Sequence, residues 1–404
     1  MRRILPLLLS AGLLLSGSAA ATDETEDFSM PELGFSAVVD YDPTDTLTDD
    51  PVPDTTAGAV LLMDAATGTV LWSDNAREAR EPASVTKIMT LLLVCEAIDA
   101  GQLTLDQPVT ASAHAAGMGG SQIYLEEGEQ MTVDELLKAV VVSSGNDAAV
   151  ALAEAVSGSE AAFVGQMNTR AAELGMEDTH FVNCTGLPAD GHVTSALDIA
   201  TMSRELLKHD LIRTYTGIWM DTVRDGQFGL SSTNKLLRTY TGTTGLKTGF
   251  TATAGYCISA TARHDDLELI AVVLGADSSK DRFATASALL DYGFGHFKLM
   301  HVAPEGELPA VPIYLGETDS VSLQPVRTDV LIRTTDEPEL TAQVLIPDGL
   351  PAPVEEGARV GTLLVQVGHR TAAAVPVYTA EGAQALHWFG VLERFVKNLT
   401  TGAT

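Results

Sequence analysis

Apolar positions change their spacing several times along this chain, and each change marks an element. Gly58-Ala-Val-Leu-Leu-Met63 and Thr69-Val-Leu-Trp72 are strand-like runs, and Ala65-Ala-Thr-Gly68 between them is a turn signal, so a hairpin is predicted. Ser84 to Ala100 reads as a buried helix rich in Met, Leu and Val. From Leu105 to about Leu207 the pattern is mainly helical. Thr132-x-x-Glu135 is a capping box opening a helix Val133 to Val142, Asp147 to Val156 is an alanine-dense helix, and Ser195-x-x-Asp198 starts another. Strand signals return at 255–261 and 267–274 around the turn Arg263-His-Asp-Asp266, which predicts an antiparallel hairpin. A helix from Asp281 to Leu290 follows.

After about Lys298 the runs become short and β-branched, as in Val330-Leu-Ile332 and Leu363-Leu-Val-Gln-Val367, with Pro and Gly turns between them. A small all-β domain is the expectation for 299–380. In the tail, 381–404, the residues Leu386, Phe389, Leu392, Phe395, Val396 and Leu399 recur at helical spacing. Such a helix is too short to span a bilayer; it would either lie in a membrane interface as a peripheral contact or pack on its own domain.

The N-terminal end is of a different kind. Arg2 and Arg3 precede an apolar stretch Ile4 to Leu15 and the small residues Ala19-Ala20-Ala21, so 1–21 reads as a secretory signal peptide and the protein as extracytoplasmic. Residues 22–56 form an acidic spacer, with 11 acidic side chains, no Lys or Arg and four prolines between Thr22 and Asp54.

Composition then excludes more than it assigns. The net charge of -30 argues against nucleic-acid binding through a basic surface. Three widely spread cysteines allow at most one internal pair, and Cys95 reads as a small buried hydrophobe. His180 and Cys184 stand four apart without a second pair, which falls short of a zinc site, so neither a metal nor a cofactor is expected.

Three short elements carry candidate chemistry. Ser84-Val-Thr-Lys87 opens the apolar helix after Pro82, and its spacing brings a hydroxyl and an amine to one face. An amine held out of water loses its proton more readily and can serve as base toward serine. Ser144-Gly-Asn146 lies between two helices, and Lys247-Thr-Gly249 shortly precedes a strand-forming stretch. Ser73-Asp-Asn75 and Ser232-Thr-Asn-Lys235 repeat parts of these patterns by chance, so order and setting carry the argument. Only Ser84 opens an apolar helix.

This trio is the signature of penicillin-binding proteins and class A β-lactamases. With Pro82 to Thr90, Ser143 to Ala148, Ser195 to Ala200, Gly245 to Thr251 and Ala254 to Cys257, the sequence resembles the serine-type D-alanyl-D-alanine carboxypeptidases, which are low-molecular-mass penicillin-binding proteins. The resemblance implies an α/β (α+β) fold: a β-lactamase/transpeptidase-like domain over 57–298, with an antiparallel sheet flanked by helices, followed by the β-rich domain. It implies that Ser84 attacks the carbonyl between the terminal D-alanines of a peptidoglycan stem peptide, that Lys87 takes its proton and that Ser144 relays a proton to the leaving amine. Asn146 would bond the substrate amide, and Lys247 and Thr248 would hold the terminal carboxylate. Gly249 would let the substrate backbone approach the strand edge. The backbone N–H groups of Ser84 and Phe250 would form the oxyanion hole, and β-lactams would be covalent inhibitors. Some relatives carry His at the position of Phe250 and Arg at that of Thr233; Asn234 matches a cleft-lining position. Asp198 resembles a position near the site, yet its capping-box spacing favours a structural role.

Rival readings stand beside this one. A class A β-lactamase would need a Glu-x-x-Leu-Asn segment, and none occurs between Ser144 and Lys247. An endopeptidase cutting cross-bridges shares the same constellation. A non-catalytic wall-binding module would be expected to have lost Ser84, Lys87 or Lys247, and all three are present.

Overall fold

The computed structural model describes residues 55–391 and Arg394. The signal peptide, nearly all of the acidic spacer and half of the expected tail helix lie outside these residues.

The first domain is built on a five-stranded antiparallel sheet of β1 (Ala59–Asp64), β2 (Val70–Asp74), β3 (Thr243–Thr251), β4 (Gly255–His264) and β5 (Leu267–Ala276), in the order β2-β1-β5-β4-β3. Side chains of a strand alternate between its faces. Ala59, Leu61 and Met63 of β1 join Ile270, Val272 and Leu274 of β5 in one core cluster. Val60 and Leu62 join Leu269, Ala271 and Val273 in a second. Both faces are therefore covered, which is why these strands read as continuous apolar runs rather than as an alternation.

The main helices are α1 (Lys87–Asp99), α2 (Val133–Val142), α3 (Asn146–Ser157), α4 (Glu160–Glu173), α5 (Ala196–Leu206) and α6 (Ser279–His296). Their starts follow the capping residues. Thr132 Oγ1 accepts the Glu135 N–H while the Glu135 carboxylate accepts that of Thr132, and Ser195 Oγ accepts the Asp198 N–H at 3.2 Å. Helix α1 is apolar all round because it is buried all round; only Glu96 and its last two residues are not.

One element starts differently from expectation. Ser84 does not open the α-helix but stands on a 3-10 turn, Ala83–Thr86, from which α1 continues. Lys247-Thr-Gly249 precedes the strand β4 as expected, and lies itself inside β3, at the free edge of the sheet.

Helix α6 passes directly into the strand Phe297–Val302, which pairs antiparallel with Thr328–Arg333. Beyond it, Leu340–Leu345, Arg359–Val367 and Arg370–Tyr378 form an antiparallel sheet around a separate apolar cluster that includes Val311, Ile332, Leu363 and Val365. The helix expected from 381 begins later. Ala383 and Ala385 bridge to Val354 and Gly316 as extended chain, and helix starts at Trp388. Backbone pairing with the β-domain outweighs the helical spacing of side chains there.

Candidate active site

The Ser84 turn is held in an uncommon backbone state. Ala83 has φ 48°, a left-handed conformation that a side chain disfavours and that persists only where its surroundings impose it. Two glycines let those surroundings close in. A Cβ on Gly186 (φ +82°) would lie 1.8 Å from the Ala83 carbonyl oxygen. One on Gly249 would lie 2.9 Å from both the Pro82 carbonyl oxygen and the Ser84 nitrogen. The space left by its missing side chain is taken by the Ser84 turn.

One turn further on, the Lys87 side chain is fully buried. Its Nζ lies 3.0 Å from Ser84 Oγ, 2.6 Å from Asn146 Oδ1 and 2.7 Å from the Thr185 carbonyl oxygen. Burial lowers its pKa to about 7, against the opposing pull of nearby Cys184 and Asp147.

A second amine faces the same region from the edge strand. Lys247 Nζ donates to Ser144 Oγ at 2.8 Å and to the Thr248 carbonyl at 2.9 Å. Burial pushes its pKa well below the ordinary lysine value, helped by the charges of Lys87 and Arg282. Ser144, between α2 and α3, is also left-handed, with φ 61°. Thr248 Oγ1 donates to Thr233 Oγ1 at 2.6 Å. Phe250 is 54% exposed, and its ring stacks on Tyr256 with centroids 4.3 Å apart.

Asn146 ties the Lys87 half to a bordering loop. Its Nδ2 donates to the Gly119 carbonyl at 2.6 Å and its backbone N–H to the Ser121 carbonyl at 2.7 Å. The neighbouring Asp147 carboxylate accepts the N–H groups of Ile123 and Leu125, each at 3.0 Å. Each end of the Asn146 amide makes one of these bonds, and its Nδ2 group carries a second N–H.

The structure therefore brings Ser84, Lys87 and Asn146 into one hydrogen-bonded cluster, and Ser144, Lys247 and Thr248 into another, with Gly249 against the Ser84 turn. Asn234 holds the strand in place: its Nδ2 donates to the Gly245 carbonyl at 2.8 Å and its Oδ1 accepts the Leu236 N–H. Asp198 accepts from the Asp178 N–H and the Thr179 hydroxyl on a helix start. Cys184 donates its thiol to Glu160 at 3.2 Å, and the three cysteines are buried and free. Thr185, Gly186 and Arg282 escaped the sequence reading. A backbone carbonyl has no signature in sequence, and the motif Thr185-Gly186 gains its meaning only from what packs against it.

Comparison with known proteins decides the family. The family described as D-alanyl-D-alanine carboxypeptidase matches residues 46–278, and the C-terminal domain of penicillin-binding protein 5 matches 297–384. The chain belongs to this carboxypeptidase family. Relatives within it include the D-alanyl-D-alanine carboxypeptidase DacF of Bacillus subtilis, 39% identical over 85% of this chain and 90% of the relative. DacA of Escherichia coli is 31% identical over 86% of this chain and 88% of the relative. Among solved structures, penicillin-binding protein 5 of Haemophilus influenzae superposes with a TM-score of 0.74, at 28% identity over 83% of this chain and 99% of that one. Penicillin-binding protein D2 of Listeria monocytogenes, solved in its ampicillin-bound form, is 32% identical and covers 61% of this chain and 100% of that one, with a TM-score of 0.53.

Proposed function

We propose that this chain is a serine-type D-alanyl-D-alanine carboxypeptidase that removes the terminal D-alanine from peptidoglycan stem peptides and is acylated by β-lactams at Ser84. The observation that carries the reading is the buried Lys87 amine, 3.0 Å from Ser84 Oγ with its pKa lowered to about 7. A neutral amine has two N–H donors and one lone pair. Asn146 Oδ1 and the Thr185 carbonyl can only accept, so they take the two N–H groups and leave the lone pair for the serine proton.

In this mechanism Ser84 Oγ attacks the carbonyl carbon of the penultimate D-alanine as its proton passes to Lys87. The N–H groups of Ser84 and Phe250 stabilise the oxyanion, each donor contributing about 3–4 kcal/mol. The tetrahedral intermediate collapses with cleavage of the C–N bond as the proton held by Lys87 is relayed through Ser144 to the departing D-alanine nitrogen, which leaves Lys87 neutral and Ser144 a hydroxyl again. Water then hydrolyses the Ser84 ester and releases the shortened peptide. Lys247 and the Thr248 hydroxyl hold the substrate carboxylate. Burial, and after it the charges of Lys87 and Arg282, disfavours the charged form of Lys247; a bound carboxylate acts in the opposite direction.

The test is intact mass after incubation with penicillin, together with D-alanine release from a pentapeptide. An adduct that vanishes in Ser84→Ala, with slow nitrocefin turnover by the parent, supports a carboxypeptidase; an adduct that persists in the mutant moves the nucleophile elsewhere. Rapid nitrocefin turnover would favour a β-lactamase.

The reading places the enzyme outside the cytoplasm, with its tail as a peripheral membrane contact. Support comes from Trp388 and Phe389, which are 68% and 65% exposed and stack at 3.7 Å at the start of the tail helix. Co-sedimentation with anionic and neutral vesicles, lost on truncation after Ala385, tests this placement.

A further inference from the structure

Arg282 stands in the first turn of α6, only 6% exposed. Buried arginines ordinarily pair with a carboxylate, because an unpaired charge is costly to desolvate. Here Nη1 donates to two backbone carbonyls, Gly249 at 2.9 Å and Cys257 at 3.1 Å, while the rings of Tyr256 and Phe283 flank the guanidinium at 5.5 and 4.5 Å. Its Nε is buried with no hydrogen-bond partner among the described residues. Burial lowers the guanidinium to about 10, so it remains a cation at neutral pH.

The position of the Gly249 carbonyl gives this charge a use. A trans peptide is planar, with its C=O and N–H pointing in opposite directions. Gly249 O takes Arg282 on one side; the N–H of the same peptide unit, that of Phe250, points the other way. Close packing of Gly249 against the Ser84 nitrogen brings this unit beside the first backbone donor. Hydrogen bonds in chains polarise one another, and a charged donor does so most strongly.

We propose that Arg282 is a positioning residue for acyl transfer: its bond to the Gly249 carbonyl aligns and polarises the Gly249–Phe250 peptide, so that the Phe250 N–H is a stronger donor to the developing oxyanion. This deepens the carboxypeptidase reading and rests on its assignment of the Phe250 N–H. Arg282 touches neither substrate nor the reacting atoms. It acts through a peptide bond that no side-chain substitution at Phe250 would remove.

The experiment uses the full-length protein, Arg282→Gln and Arg282→Lys, with benzylpenicillin as probe. Rapid-quench kinetics separate the dissociation constant from the acylation rate constant, and infrared difference spectra read the ester carbonyl of the accumulated acyl-enzyme. Acylation by R282Q is expected to slow about tenfold or more, a fraction of what losing a whole oxyanion donor costs. The dissociation constant should stay within about threefold, as for an interaction made mainly in the transition state. The ester carbonyl band should move to higher frequency, with R282K in between. An unmoved band, or a weaker dissociation constant at an unchanged rate, would overturn the proposal. Should R282Q not fold, the same two readouts on R282K decide it. Absence of a Ser84 adduct on the parent would instead sink the carboxypeptidase reading itself.

Discussion

Asn146 presents its amide oxygen to the Lys87 amine at 2.6 Å, closer than the serine hydroxyl does at 3.0 Å. An amide oxygen accepts a proton bond but carries no charge, so it orients the amine without holding it protonated. The rate of acylation by penicillin should therefore rise with pH through about 7, falling roughly tenfold per unit below it as Lys87 is protonated. Asn146→Asp replaces the dipole with a carboxylate and should move that limb upward, leaving the variant nearly inactive at neutral pH. Stopped-flow acylation across pH 5–9 checks both outcomes.

Asp147 supplies the opposite case. Its buried charge raises the pKa of Lys87 against the effect of burial. Asp147→Asn should shift the acid limb downward, by at most about one unit, the low end for removal of one nearby charge. The asparagine retains one acceptor for the Ile123 and Leu125 N–H groups, so part of the loop geometry survives. A limb that stays in place would mean that Asp147 acts on the loop alone.

Lys87 also ties stability to pH. Its pKa is about 7 in the fold and 10.5 as a free side chain. Between these values the unfolded chain binds the extra proton, so the free energy of unfolding rises with pH from about 7 toward 10.5. Lys87→Met removes this contribution. Urea midpoints at pH 7.5 and 9.5 should differ less in the variant than in the parent, the remainder coming in part from Lys247, which burial shifts in the same direction.

Gly186→Ala should damage fold and site together. The new Cβ would sit 1.8 Å from the Ala83 carbonyl oxygen at a φ of +82° that alanine disfavours. A loss of about 2–4 kcal/mol is expected from overpacking and backbone strain combined. The folded fraction should acylate slowly, because relief of the clash displaces the turn bearing Ser84. Urea unfolding and adduct formation at equal folded concentration separate the two effects.

Most of the catalytic domain's architecture is legible in the sequence, because its elements obey strong local rules. The Thr132 and Ser195 caps sit at their helix starts, and the turn at Asp265–Asp266 joins two strands of the central sheet. What escaped is decided by packing between distant segments. Ser84 and Lys87 match a helical spacing whether the backbone is 3-10 or α, so sequence alone does not tell them apart. Lys247-Thr-Gly249 precedes the strand at Gly255 as read, but that it lies inside a strand of its own, with Gly249 paired to Cys257, depends on a partner strand that local spacing does not reveal. Arg282 carries no motif; its meaning lies in two carbonyls of one hairpin, Gly249 and Cys257, more than twenty residues before it. The late start of the tail helix has the same origin, since Ala383 and Ala385 find β partners that no local pattern announces.

Helix α6 ends at His296 and the next strand begins at Phe297, whose buried side chain, with Leu331 from the β-domain, belongs to the apolar cluster under the central sheet. The chain crosses from one domain to the other inside a packed apolar cluster, with no residue between helix and strand. An insertion at this joint would therefore have to disturb that shared cluster before it could lengthen the connection.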